Sequence, residues 1–121
     1  MARQIKSGPG WRLGWDDTAA EFQGLAAGEH WAVELTAQEL ADLCRLALQL
    51  AESVHGIASE LMDEERITCE AESDWIWLEV EGYPHAYSLR FILQMGRRSE
   101  GTWSCEAVPS LLQAMAGLTL F

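Results

Sequence analysis

Residues 67–93 read ITCEAESDWIWLEVEGYPHAYSLRFIL, and the fold turns on the alternation within them. Ile67, Cys69 and Ala71 alternate with Thr68, Glu70 and Glu72, and Ile76, Leu78 and Val80 then alternate with Trp75, Trp77, Glu79 and Glu81. A period of two with one apolar side belongs to a half-buried β-strand. Ser73-Asp74 marks a hairpin turn and Gly82-Tyr83-Pro84 a second. His85 to Leu93 then resumes the alternation, with Tyr87, Leu89, Phe91 and Leu93 on one side. Strands joined by turns this short form antiparallel sheets.

Toward the C-terminus, Gly96 to Gly101 reads as a polar, basic loop, and Thr102 to Glu106 as a last strand with Trp103 and Cys105 facing inward. Pro109 suits the first turn of a terminal helix, where its missing N–H is not needed, and Leu111, Leu112, Met115 and Leu118 give that helix an apolar side. Toward the N-terminus, Thr36 followed by Glu39 is a capping box that opens one long helix. From Leu40 through Leu43, Cys44, Ala47, Leu50, Ala51, Val54 and Ala58 to Leu61 and Met62, apolar residues recur in steps of three and four, predicting a helix to about Glu64. Leu46, Leu48 and Ile57 widen the stripe, so the helix is expected to pack between two sheets, within one chain or across a homodimer. Gly56 alone weakens it.

Ahead of the helix, Trp11, Leu13 and Trp15 alternate with polar or small neighbours. Glu21 to Leu25 and His30 to Leu35 give two more strands, and an extended segment near Gln4 to Lys6 adds an edge strand. Gly8, Pro9 and Gly10 are expected to be a mobile lead-in. The reading is α+β, one domain over residues 1–121, with strands and a long helix to about 65, then strands and a short helix from about 66. Each half is four strands and a helix.

Composition narrows the function classes. With 121 residues, 49 % hydrophobic and 22 % charged, the chain is an ordinary globular domain. The apolar stretch from Leu40 to Leu50 is broken by Asp42 and Arg45, so nothing is long enough to span a bilayer and no membrane partner is expected. A net charge of −11 opposes generic binding to nucleic acid or anionic membrane. Glu60, Asp63, Glu64, Glu65, Glu70, Glu72, Asp74, Glu79 and Glu81 face Arg66 alone, so eight of the eleven net negative charges lie between residues 60 and 81. Cys44, Cys69 and Cys105 are far apart and set among apolar neighbours, as small buried thiols are. The opening MARQIKSGPGW lacks the apolar stretch of a secretory signal, which predicts a cytoplasmic protein.

The runs KSGPGWRLGWD, WAVELT, ELMDEE, CEAESDWIWLEVEGYPHAYSLRFIL, GRR and AVP resemble a cyanobacterial family known as domain of unknown function 1818, over nearly the whole chain. The resemblance implies a fold similar to the single-stranded-DNA-binding transcriptional regulators, among them the Whirly proteins, in which two four-strand-plus-helix units meet. It carries no established activity. Unlike the DNA-binding members, the chain has one lysine, Lys6, and lacks the Whirly-type Lys-Gly-Lys strand motif.

Catalytic and metal motifs are missing from the sequence. His30, His55 and His85 are isolated, there is no paired-Cys spacing, no GxSxG, and no Gly-rich loop ending in Lys-Ser or Lys-Thr. No cofactor and no enzymatic activity are expected. What remains is the strand after Ser73, whose parity places Trp75, Trp77, Glu79 and Glu81 opposite its aliphatic side. Tryptophans beside carboxylates on an outer sheet face suit recognition of a protein partner. A single-stranded nucleic-acid-binding transcription regulator, the alternative, requires Arg3, Lys6, Arg12, Arg90, Arg97 and Arg98 to converge on an aromatic platform.

Overall fold

The computed structural model describes residues 3–62 and 64–118. In chain order it comprises β1 (Arg3–Gly8), β2 (Trp11–Asp16), β3 (Gly24–Ala27), β4 (Ala32–Leu35), α1 (Ala37–Ile57), a 3-10 turn (Ala58–Glu60), β5 (Ile67–Glu72), β6 (Ile76–Tyr83), β7 (Ala86–Leu93), β8 (Glu100–Trp103) and α2 (Val108–Gly117). The strands form two four-stranded antiparallel sheets in sequential order, β1 to β4 and β5 to β8, so the α+β pattern of four strands and a helix occurs twice. No helix of the described residues is long and apolar enough to cross a membrane.

Alternation in the sequence becomes sidedness in the sheets. Trp11, Leu13 and Trp15 are buried on the inner face of β2, and Ile76, Leu78 and Val80 on that of β6, joined by Leu89, Phe91 and Leu93 of β7. Both helices pack on these inner faces. α1 lies against β3 and β4 of the first sheet and against β5, β6 and β7 of the second, so it packs between two sheets of one chain. α2 rests on β1, β2, β7 and α1, and a continuous hydrophobic core runs through both halves.

Several boundaries differ from the sequence expectation. Gly8, Pro9 and Gly10 are no mobile lead-in: Gly8 ends β1, and Pro9 and Gly10 form the turn to β2, where Gly10 takes φ +81°, a conformation that favours a residue without Cβ. β3 begins at Gly24 rather than Glu21. α1 stops at Ile57, not near Glu64, because the apolar face runs out of surface to cover: Ile57 is 39 % exposed and Met62 62 % exposed. β8 runs from Glu100 to Trp103, two residues ahead of the expected strand, and leaves Cys105 in the turn before α2. The reason is Gly101. A Cβ there would stand 2.4 Å from the Trp31 ring, so the glycine reads as loop but serves as the inner-face residue over which an indole lies.

That indole joins the two units. Trp31 packs against Phe91 and Trp103, with ring centroids 5.6 and 5.1 Å away, and its Nε1 donates to the carbonyl of Thr102 at 3.1 Å. Trp103 Nε1 donates in return to the carbonyl of Ala27 at 2.9 Å, and Trp11 Nε1 to Ser110 Oγ at 3.1 Å. The indoles of Trp11, Trp31 and Trp103 thus each find an acceptor in the opposite half of the chain.

Candidate interaction surface

On the outer face of the second sheet, β5 contributes Thr68, Glu70 and Glu72, β6 Trp77, Glu79 and Glu81, β7 Ser88, Arg90 and Ile92, and β8 Glu100 and Thr102. Register places Glu70 directly across from Glu79, and Glu72 across from Trp77. Cross-strand partners have Cβ atoms about 4.5–5.5 Å apart, and like charges at that spacing repel. Arg90 sits across from Glu79 on the other side but turns away, donating to Glu100 Oε1 at 3.4 Å with its guanidinium 5.6 Å from the Trp77 ring centre. Arg66 likewise donates to Glu81 Oε1 at 3.2 Å and lies 5.4 Å from the Tyr83 ring. These two arginines leave Glu70, Glu72 and Glu79 without an ion pair to any described base.

Trp75 precedes β6 and stands at one end of this face, 38 % exposed. Its turn is firmly built. Ser73 Oγ accepts from the backbone N–H groups of Trp75 and Ile76 at 3.1 and 3.3 Å and donates to Asp42 Oδ2 at 2.7 Å. Asp42, buried on α1, also accepts from Gln38 Nε2 and Arg45. Gln94 closes the other side, its amide donating to the Ser73 carbonyl at 2.7 Å and its backbone N–H to the Trp75 carbonyl at 2.8 Å. The neighbouring Met95 is 49 % exposed. Trp77, Glu79 and Glu81 thus share one side of the sheet, with Trp77 and Glu79 half-buried by their neighbours, and Trp75 lies exposed in the turn that leads into β6. Sequence reading missed Glu70, Glu72, Glu100 and Ile92 as part of that surface: a turn at Ser73-Asp74 would set Glu70 across from Trp77, whereas the observed turn is centred on Asp74-Trp75, with Ser73 N–H donating to the Ile76 carbonyl, and sets Glu70 across from Glu79.

The six basic candidates do not share a groove. Arg3 and Arg12 lie on the outer face of the first sheet, with Ile5, which is 57 % exposed, between them on β1. Lys6, paired with inward-facing Leu13, points to the helix side, its Nζ beside Gly117 at the end of α2. Arg90 belongs to the second sheet. Arg98 is exposed and lines an open cleft of about 410 Å³ with Ile92, Leu93, Gln94 and Glu100. Arg97 donates to Glu39 Oε1 at 2.9 Å and to the Glu34 carbonyl at 2.7 Å, holding the β7–β8 loop to the start of α1.

The thiols are free, Cys44 buried and Cys69 and Cys105 partly so. Burial pushes the Cys44 thiol up to about 12. Among the described residues no group of His, Cys, Asp and Glu side chains is placed to hold a metal ion.

A family model described as Domain of unknown function (DUF1818) matches residues 6–118. No curated protein matches the chain. The crystal structure of a protein with unknown function from the DUF155 family of Prochlorococcus sp. NATL2A is similar, with 30 % sequence identity, a TM-score of 0.89, and coverage of 94 % of this chain and 97 % of that one.

Proposed function

Because the chain belongs to the family described as domain of unknown function DUF1818, a description without an activity, we propose from its surface that it is a non-enzymatic, cytoplasmic interaction module recognising a protein partner through the outer face of its second sheet. One observation carries this reading: Trp77 stands on that face beside Glu70, Glu72 and Glu79, none of them ion-paired to a described base, with exposed Trp75 in the turn at its end. Aromatic anchors within a polar rim are the anatomy of protein interfaces. The opposed Glu70 and Glu79 cost the free protein stability that a partner would restore. Trp77→Ala tests it. The substitution removes no inner-face contact, so the fold is retained while capture of the partner from a lysate of the source organism is lost. Undiminished capture overturns the reading.

A second reading is a single-stranded nucleic-acid-binding regulator of the Whirly-like kind. It is supported by the twice-repeated order of four strands and a helix, and by Arg3 and Arg12 flanking exposed Ile5 on the first sheet. In either reading the chain works without a cofactor. A homodimer would use the same exposed sheet faces.

A further inference from the structure

The acidic face holds its own two arginines in one manner. Arg90 lies over Trp77 and donates to Glu100, and Arg66 lies over Tyr83 and donates to Glu81, so each guanidinium has a ring on one side and a carboxylate at its edge. The rest of the face offers further parts of the same kind: the exposed Trp75 ring, and Glu72 and the opposed pair Glu70 and Glu79, none of which is ion-paired to a described base. A guanidinium is suited to such a place, since its planar fork of donors bridges two carboxylates and stacks on an indole, whereas an ammonium is a strongly hydrated point charge. Along β5 the carboxylates of Glu70 and Glu72 are two residues apart, about 7 Å in a strand, the spacing of alternate side chains in an extended peptide.

Resting on the protein-partner reading above, we infer that the segment docked on this face is an extended, arginine-bearing stretch of the partner, with arginines at alternate positions set against Glu70, Glu72 and Glu79 and against the Trp75 ring. Charge complementarity selects this occupant over an acidic or neutral one.

The test uses the whole chain and three fluorescein-labelled peptides of about ten residues, in which serine alternates with arginine, lysine or glutamine. The arginine peptide is expected to bind, the lysine peptide more weakly and the glutamine peptide least. In 15N spectra the indole N–H signals of Trp75 and Trp77 should shift, while those of buried Trp11 and Trp103 stay in place. The double substitution Glu70→Gln with Glu79→Gln should weaken the arginine peptide about tenfold, whereas Glu21→Gln with Glu52→Gln, which removes equal charge from exposed sites elsewhere, should change it less than about twofold. Equal weakening by both pairs, or equal binding of arginine and lysine peptides, reduces the effect to bulk charge and overturns the inference. An oligothymidylate that shifts the same two indole signals overturns it in favour of nucleic acid. If the arginine peptide leaves these signals unmoved while Trp77→Ala still abolishes partner capture, the basic occupant is wrong and the interaction surface stands. If Trp77→Ala leaves capture intact, the surface itself is wrong.

Discussion

Arg97 lies in a loop that reads as basic and solvent-facing, yet its guanidinium is anchored to buried Glu39, to the Glu34 carbonyl and, 4.4 Å away, to the face of Phe22. Glu39 spends its carboxylate twice, accepting the Thr36 backbone N–H at 2.8 Å in the capping box and taking Arg97 as its counter-ion. Removing one partner of a buried pair typically costs about 3–5 kcal/mol; because the Arg97 side chain is 35 % exposed, Arg97→Ala should destabilise by about 2 kcal/mol, read as a lower urea midpoint with an unchanged slope. Arg98→Ala, on the exposed neighbour, should leave the midpoint within about 0.5 kcal/mol of the parent. Capping by Thr36 and Glu39 was legible, since both partners lie within one turn. The Arg97 contact was not, because it spans a sequence separation that no local pattern encodes. Cys44 gives a second residue-scale test. Its folded thiol holds a proton through the range in which an unfolded one has lost it. Stability from this group is therefore intact below the ordinary thiol value of 9.0 and falls as pH rises from there toward about 12, by at most about 1.4 kcal/mol per pH unit. Iodoacetamide near pH 8 should modify Cys69 and Cys105 well before Cys44, and the advantage of the parent over Cys44→Ala in urea should shrink by about pH 10.

Helix α1 and strand β8 carry the element-scale consequences. The start of α1 is fixed by its capping box, but its end depends on where the two sheets stop, and the apolar sequence from Ala58 to Met62 continues past that point. Gly56 has open space around its Cβ position and sits in the last helical turn. Gly56→Ala should therefore stabilise by up to about 0.5–1 kcal/mol, measured as a raised thermal midpoint. Gly101→Ala has the opposite sign. Its methyl group would displace the Trp31 ring from Phe91 and Trp103, costing about 1–3 kcal/mol and altering near-ultraviolet circular dichroism. β8 was misplaced for the same reason: a glycine whose role is to admit an aromatic ring from the other half of the chain carries the local signature of a loop.

For the whole molecule, charge distribution decides what the chain attracts. With a net charge of −11 and its basic candidates divided between two sheets and the β7–β8 loop, binding of single-stranded DNA at about 0.15 M salt should be weak or absent. A fluorescent oligonucleotide titrated at two salt concentrations checks this. Sub-micromolar affinity with a steep salt slope, near 0.7 released counterions per contact and lost in Arg98→Ala, would promote the nucleic-acid reading over the protein-partner one. Arg98→Ala is the cleaner probe, since Arg97→Ala also loosens the junction between the units. By itself the sequence determined the order of strands and helices, the inner faces of β2, β6 and β7, the helix start, the acidic charge and the outward side of Trp77, because sheet sidedness and helix capping are set by residues two to four apart. Only the tertiary structure decided that both sheets share α1 within one chain, that Arg97 and Gly101 serve the junction, and that Glu70, Glu72 and Glu100 join Trp77 on one surface. Those relations depend on strand register and on packing between halves, where the partners are tens of residues apart and the burial that selects them exists only in the folded chain.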